Sequence, residues 1–501
     1  MALPRRIATL FVLITTTNAA EDMSLTPDCG GLRGDGACAA KSTGVCRGVQ
    51  NFASAAARIR RCSKIEGDLL IDHVEFASLP FLTEVTGSIY IGSKPDYDGG
   101  NLHTLHRQEP CTSRSKTLEA VAMGALLVVR GGLWVRCSDA LTQLSFAALE
   151  GVGDALKVEH NAQLKSLGKA FPALRRAGFA PGYDEYNELT IRDNAALVDI
   201  NDAFPLLESV AQTVRIDNNP ELTSIANAFA SLKACGSLQL TDLPKLLTVP
   251  ADAFALLEQV EGNLAGPSDV WIGYADKLTA IDAGAFPQLK FVAGDVWLLF
   301  SPDLATIAGS FPALARVDGF VHVHGCDSLK TLDGVMPALE SAGGIQLSDS
   351  SALTSLKNGF PRLAKVSGHL AIFGLPALAE ADGFAALEAV GDLDIYSNPA
   401  LTDVRGFSGL KTANLVRVYH NPVLARVDGF DTLQTLGDDD DTEPALVVVE
   451  NGGRITMTAF GALEQGGWAA LQRLEAPALC ASKPVAKDET PCYCGDADDA
   501  C

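Results

Sequence analysis

From Phe146 onward the sequence restarts about every 25 residues, and the repeat continues for nearly 300 residues. Each unit begins with a phenylalanine, has Leu three and Val six positions later, and then carries two apolar residues separated by one variable residue. The anchor residues are Phe146, Phe171, Phe204, Phe229, Phe254, Phe286, Phe311, Phe360, Phe384, Phe407 and Phe430, with Val335 in the one slot that lacks Phe. A fixed period of this size is typical of a solenoid, in which each unit buries its apolar face against its neighbours. The repeat therefore predicts one coil over 146–437 and excludes several compact domains there.

The apolar-variable-apolar element of each unit predicts a short β-strand, because successive strand side chains point to opposite faces. Val214 and Ile216 should be buried, and Arg215 between them should point outward. A polar turn follows, and Asn stands three residues before the next Leu at 161, 194, 219, 398 and 421. A buried amide there can bond backbone groups that the coil leaves unpaired. Strands stacked in register would form a parallel sheet of about 12–14 rungs.

The N-terminus and the cysteine content predict an extracellular protein. Arg5 and Arg6, a short apolar stretch and small residues at 17–20 together resemble a secretory signal peptide. Twelve cysteines behind such a signal predict disulfides and a secreted, cell-surface or cell-wall location. No later stretch is long and apolar enough to span a membrane. A net charge of −22 without a basic stripe argues against nucleic acid as a partner, and no motif indicates a cofactor.

We divide the chain into four segments. These are a signal peptide (1–20), a Cys-rich N-terminal segment and cap (21–64), the repeat solenoid (65–437), and a C-terminal segment with an acidic loop, a helical stretch and a Cys-rich cap (438–501). Solenoid ends expose strand edges and apolar rungs, so we expect the disulfides in the caps. Cys480, Cys492, Cys494 and Cys501 should pair among themselves. Cys235 and Cys326 lie deep in the repeats, where buried, unreactive thiols are favoured over reactive or metal-binding ones.

The consensus L-x-x-V-x-G-x-L-x-I-x-x-N-P-x-L over about 46–437 resembles the receptor L domain, the leucine-rich, β-helical ligand-binding module of insulin-receptor and epidermal-growth-factor-receptor families. It is also similar to repeats of fungal cell-wall surface proteins. Cys46, a helix-like stretch, Cys62 and the strand-like segment 65–71 resemble that module's opening. The resemblance implies a mainly β fold, a right-handed β-helix-like leucine-rich-repeat solenoid with disulfide-bonded terminal caps. It also implies a Cys46–Cys62 disulfide and extracellular ligand recognition.

Aromatic residues recur at outward positions of the predicted strands. The candidate ligand-binding residues in the two outward columns are Trp134, Trp271, Trp297, Leu299, His322, His324, Phe373, Tyr396 and Tyr419. Solvated strand faces normally carry polar residues, so outward tryptophans need a reason. Contact with a glycan or a protein ligand is one reason, and cover by a loop, a cap or another copy of the chain is the alternative. We therefore predict a non-catalytic recognition protein, with its oligomeric state left open.

Two other function classes stay as alternatives. The first is a structural rod in a cell wall or matrix, for which an unremarkable outward face would be sufficient. The second is a β-helical polysaccharide-active enzyme, which needs carboxylates converging on one groove. The outward acids Glu159, Asp217 and Asp394 are scattered among rungs, and no nucleophile or phosphate-loop motif is present, so we predict no enzyme.

No metal site is predicted. His322 and His324 share one strand face, but two histidines without a third ligand favour solvated side chains. Asp438–Asp441 is a run of four carboxylates that could bind calcium. The EF-hand spacing of ligands is absent there, so a solvated acidic loop is the favoured interpretation.

Overall fold

The computed structural model describes residues 44–93, 111, 114–179, 187–262, 268–437, 445–452 and 455–457. All of them belong to one structural unit, which spans Ser42–Cys501. The predictions for the signal peptide, the segment 21–43, the acidic run 438–441 and the four C-terminal cysteines lie outside the described residues. Within the described part, no helix is long and apolar enough to cross a membrane.

The described residues form one helix and 34 strands. In chain order these are β1 Gly44–Arg47, β2 Gln50–Asn51, α1 Phe52–Ile59, β3 Cys62–Glu66, β4 Leu69–Ile71, β5 Phe76–Ser78, β6 Glu84–Val85, β7 Ile89–Gly92, β8 Ala120–Ala122, β9 Val128–Val129, β10 Leu133–Arg136, β11 Gln143–Ser145, β12 Gly151–Val152, β13 Leu156–Glu159, β14 Arg176–Ala177, β15 Leu189–Arg192, β16 Ser209–Asp217, β17 Ala234–Thr241, β18 Thr248–Val249, β19 Gln259–Val260, β20 Val270–Gly273, β21 Ala280–Ile281, β22 Phe291–Val292, β23 Val296–Leu299, β24 Arg316–His324, β25 Ser341–Ser348, β26 Lys365–Phe373, β27 Glu380–Ala381, β28 Ala389–Tyr396, β29 Asp403–Val404, β30 Thr412–Tyr419, β31 Arg426–Val427, β32 Thr435–Leu436, β33 Leu446–Val449 and β34 Thr456–Met457.

Twenty-five of these strands form a single parallel sheet, as the repeat predicts. One ladder of register partners runs along it from Asn51 to Val447 and links sixteen rungs of the described chain. The expected 12–14 rungs were too few, because strands at Asn51, Leu70 and Tyr90 extend the ladder ahead of Trp134. Three smaller parallel sheets, β5-β8-β11, β18-β21 and β27-β29-β31-β34, form later in the rungs. The predicted mainly β, leucine-rich-repeat solenoid is therefore confirmed.

A column of stacked phenylalanines forms the centre of the core. Every anchor Phe from Phe146 to Phe430 is buried, and neighbouring ring centroids lie 4.8–5.7 Å apart. The column is interrupted once, and the residue there is Met336, not Val335 as the sequence analysis assigned. Leu339 N donates to Met336 O over 3.2 Å, as Leu314 N donates to Phe311 O over 3.4 Å. Met336, like the anchor phenylalanines, stands three residues before a Leu.

The predicted asparagine ladder is present and fully buried. Asn194 Nδ2 donates to Val158 O over 2.9 Å, and Asn194 Oδ1 accepts from Asn161 N over 3.1 Å. The same pair of bonds recurs in other rungs at Asn219, Asn398 and Asn421. Each amide therefore accepts from one backbone N–H in the turn of the preceding rung and donates to one carbonyl of that rung's strand. Cys326 occupies the same slot, with Sγ 3.8 Å from Leu298 O.

Two disulfides are present in the described residues. Cys46–Cys62, with a Cα separation of 5.9 Å, confirms the predicted pair and encloses α1. The second, Cys111–Cys137, was not predicted. It lies inside the solenoid range, so the expectation that all disulfides lie in the caps was wrong. The rung that contains this disulfide is longer than the others. Gly92 and Arg136 are register partners in adjacent rungs, so a single turn of the coil connects them.

Cys235 and Cys326 are free and buried, as predicted. Burial raises the pKa of each thiol to about 12. At neutral pH both are therefore protonated, and the thiolate that would react or bind a metal is not formed.

Candidate functional site

The two outward columns read from the sequence are columns of register partners in the sheet. Trp134, Trp271, Trp297 and His322 lie in the first column. Leu299, His324, Phe373, Tyr396 and Tyr419 lie in the second column. Leu299 and His322 are each only 8% exposed, whereas the other seven are partly exposed. The nine residues form three separate groups along the ladder, not one continuous strip.

The central group is a stack of four rings that runs along the ladder. The ring centroids of Trp271 and Trp297 are 5.9 Å apart, with planes inclined by 35°. Trp297 and His322 lie face to face, 3.6 Å apart and within 6° of parallel. His322 also stacks on Phe320, at 5.2 Å and 17°. A Cβ atom at Gly344 would lie 2.2 Å from Phe320 Cε1, so the Phe320 ring covers the backbone of the next rung. We call Trp271, Trp297, His322 and Phe320 the ring stack.

The stack holds His322 as a neutral imidazole. Burial lowers the pKa of His322 to about 4, although the carboxylate of Asp295 acts in the opposite direction. His324 is held differently, because its Nδ1 lies 2.9 Å from Ser348 Oγ and 3.2 Å from Asp349 Oδ2. Within the described residues, no group of three or more His, Cys, Asp or Glu side chains could hold a metal ion. The chemistry of this face is therefore that of neutral aromatic surface.

Sequence reasoning missed Tyr274 and Phe300, which lie directly after β20 and β23. Their side chains are 41% and 42% exposed, and their rings stack at 5.1 Å. Both residues have left-handed backbone, with φ of 53° and 44°. A period of two continued past the strand would place these positions on the inner face, but a left-handed residue ends each strand and turns the side chain away from the core. The other left-handed residues at this position are smaller, polar or imidazole residues, namely His73, Cys137, His160, Asp193, Asn218, Asp242, Gly325, Asp349, Gly374, Ser397, His420 and Glu450. The presence of two bulky aromatics among such residues was the available signal.

Between the ring stack and the Tyr274–Phe300 pair, the outward positions of the two rungs are Gly273 and Leu299, which are register partners. Gly273 has no side chain and Leu299 is nearly buried, so we infer that the surface is lower here than at the rings on either side. A Cβ atom at Gly273 would lie 2.7 Å from Leu299 O, so a larger residue could not be added to this floor without displacement. Trp271 Nε1 is buried and has no hydrogen-bond partner among the described residues. We call this the central groove.

The second group is a column of three parallel rings. Phe373 and Tyr396 stack at 4.7 Å, and Tyr396 and Tyr419 stack at 4.8 Å. Beside them Asp394 is buried and accepts two hydrogen bonds from Arg417, at 2.5 and 2.6 Å, and one from His369. Burial raises the pKa of Asp394, but the hydrogen bonds from His369 and Arg417 outweigh it and hold this pKa below its usual value. Asp394 is therefore an ionised anchor for Arg417 and His369, not an acid catalyst.

Trp134 belongs to a third, charged region. Its ring lies 5.0 Å from Lys157 Nζ, and Lys157 forms a buried 2.5 Å ion pair with Glu188. Four rungs separate Trp134 from Trp271, so the two tryptophans cannot bind the same small group. Burial raises the pKa of Asp217 to about 6, although Arg192 opposes the rise.

The outward acids do not form a catalytic pair. Glu159 and Asp217 lie two rungs apart with Arg192 between them. Asp394 is seven rungs beyond Asp217, although in the neighbouring column. Paired carboxylates for glycoside cleavage must face one bond from two sides, which this arrangement does not provide.

No protein-family model matches the chain, and no curated protein matches it. Among solved structures, it aligns with a complex of TLR13 and ssRNA13 at 12% identity and a TM-score of 0.24, covering 83% of this chain. The chain spans 63% of the length of that TLR13 chain. It also aligns with a leucine-rich repeat protein from Bacteroides ovatus at 13% identity and a TM-score of 0.19, covering 61% of this chain and 82% of the other. Similarity this low carries no argument about ligand or activity, and the receptor L-domain relationship stays a prediction.

Proposed function

We propose that this is a non-catalytic, extracellular recognition protein of the receptor L-domain type, which binds a glycan or protein ligand with the outward face of its sheet. The observation that carries the proposal is the aromatic surface of two adjacent rungs. Trp271 and Trp297 are partly exposed, and Tyr274 and Phe300 are 41% and 42% exposed. Clustered, partly exposed aromatic side chains are typical of binding hot spots.

The rest of the outward face supports recognition over catalysis. The ionisable groups with the most buried positions, such as Asp394 and Lys157, are engaged in ion pairs with neighbouring rungs. A side chain that is held in this way stabilises the sheet and does not exchange protons with a substrate. A structural rod would also fold without aromatics at the central groove, so their presence favours a ligand.

The direct test combines a glycan array with a pull-down from extracellular fluid, using the secreted full chain. For a ligand found in this way, Trp271→Ala with Trp297→Ala should remove about 2–4 kcal/mol of binding free energy. Folding should survive, because both side chains lie outside the core. Gln346→Ala, in the same outward column, is the matched control and should bind normally. Normal binding by the double tryptophan variant would contradict the proposal.

A further inference from the structure

The orientation of the rings limits what the central groove can bind. A sugar ring packs on the face of an aromatic side chain, but in the ring stack these faces are turned toward one another. His322 covers one face of Trp297, and Phe320 lies against His322 and the backbone of Gly344. The Tyr274 ring is likewise stacked on Phe300. Apart from the outer faces of Trp271 and Tyr274, the ring edges are therefore the aromatic surface left for a ligand, and edges fit around apolar side chains.

Among the described residues, Tyr274 and Phe300 are the two bulky aromatic residues at this left-handed position. Left-handed backbone is unfavourable by roughly 1–2 kcal/mol for residues other than glycine, and asparagine and aspartate tolerate it best. Ten other rungs carry Gly, Asn, Asp, Ser or His at the same position, and two more carry Cys137 and Glu450. The two aromatic residues are adjacent, and they lie in the same two rungs as Trp271 and Trp297. Two neighbouring rungs therefore concentrate four large aromatic side chains on the outward side of the sheet.

The charge around the groove selects among partners. At the outward and left-handed positions of the five rungs from Gln239 to Asp349 there is no Lys or Arg. Exposed Asp242 and Asp349 stand at the two ends of the column that holds Tyr274 and Phe300. The nearby Lys277 is paired with Asp303 at 2.9 Å. Electrostatic complementarity therefore favours a cationic partner, in agreement with the chain's net charge of −22.

We infer that the central groove binds a protein segment in which an aromatic or long aliphatic side chain is flanked by Lys or Arg. The apolar side chain lies over Gly273 and Leu299 between the two sets of rings. The flanking cations meet Asp242 and Asp349. This inference rests on the proposed function and narrows its ligand to protein.

The test is selection of random, phage-displayed peptides on the full chain, with counter-selection on a Tyr274→Gly/Phe300→Gly variant. Glycine accepts left-handed backbone without strain, which offsets the lost ring contacts, so this variant should fold like the parent, and its thermal midpoint should confirm that. Selected peptides should share one large apolar residue flanked by Lys or Arg. They should bind the double variant at least ~10-fold more weakly, a loss of about 1.4 kcal/mol. Asn218→Gly, at the equivalent position of an outside rung, should bind them normally.

Charge is tested separately with Asp242→Lys/Asp349→Lys, which should weaken the same peptides, and raised salt should do so too. The inference is overturned if no peptides are enriched over the variant, or if the enriched peptides lack cations. It is also overturned if a neutral oligosaccharide from the array binds and this binding requires Tyr274 and Phe300. In that case the proposal that this face recognises a ligand still holds. If every ligand is retained by the Trp271→Ala/Trp297→Ala variant, the proposed function fails as well.

Discussion

Replacing Asn194 with Ala should weaken the solenoid locally and by a large amount. The substitution removes the acceptor for Asn161 N and a donor to Val158 O, and both groups lie in the buried preceding rung. The buried Asn161 N–H that loses its partner costs about 1–3 kcal/mol, and the lost bond to Val158 O, a carbonyl within the strand ladder, adds about 0.5–1.5 kcal/mol. Since each rung contacts only its neighbours, the loss should stay near the mutated rung.

Hydrogen exchange measured by mass spectrometry is the suitable assay, because a long repeat array need not unfold in one step. Amides of β13, β15 and β16 should exchange roughly 30-fold faster or more, at about 1.4 kcal/mol per factor of ten. Amides of β26 and β28 should be unchanged. Cys326→Ala is the matched control: it empties the same slot where the sulfur makes only long contacts, of 3.7 and 3.8 Å, so its effect should be smaller.

Two outcomes would refute this reasoning. If exchange near Asn194 is unchanged, the amide does not supply backbone hydrogen bonds that the rung needs. If exchange accelerates equally along the whole sheet, the rungs do not behave as units that depend on their neighbours, and the repeat-based account of stability is wrong.

Three further predictions concern buried ionisable groups. Cys235 and Cys326 should resist thiol labelling in the native state at pH 8 and react on denaturation, because burial raises both pKa values to about 12; rapid native labelling would contradict this. With a pKa of about 4, His322 stays neutral in the folded protein, whereas in the unfolded chain it takes up a proton below pH ~6.5. The free energy of unfolding should therefore fall as pH decreases from ~6.5 to 4, and His322→Gln should reduce that fall. The pKa of Asp217 is raised to about 6, so its ionisation lowers the free energy of unfolding as pH rises from ~4 to 6. Asp217→Asn should therefore stabilise the fold by about 1–2 kcal/mol at pH 7.5. Destabilisation by this substitution would show that the contact with Arg192 outweighs the cost of burial.

The repeat made the fold predictable because one physical constraint acts on every rung. An apolar pair such as Val214 and Ile216 must face the core, which fixes the side chain between them as outward. The register of both outward columns and the buried role of the Asn slot followed from this alternation. The Met336 slot was misassigned because two adjacent apolar residues, Val335 and Met336, were both compatible with burial.

What the sequence did not predict depends on geometry that breaks the alternation. Tyr274 and Phe300 were not among the candidate residues, because a period of two does not reveal where a strand ends in left-handed backbone. The orientation of the aromatic rings could not be predicted from the sequence either. Rungs stack at about 5 Å, which places Trp297 and His322 in adjacent rungs, but only the structure shows them face to face at 3.6 Å.

The same architecture explains how a binding surface can be altered without risk to the fold. Core hydrogen bonds and the Phe column lie on the inner side of each rung, whereas the outward and left-handed positions contribute little to either. The two rungs with Trp271 and Trp297 carry aromatic residues at both kinds of position. Trp271 and Trp297 occupy outward strand positions, and Tyr274 and Phe300 occupy left-handed positions where the backbone favours Gly or Asn. Tyr274→Gly and Phe300→Gly would remove the backbone cost at both positions, but they would also remove the stacking of the two rings at 5.1 Å. Aromatic residues at these positions add little to the core, so their concentration on two rungs supports the proposal that this face binds a ligand.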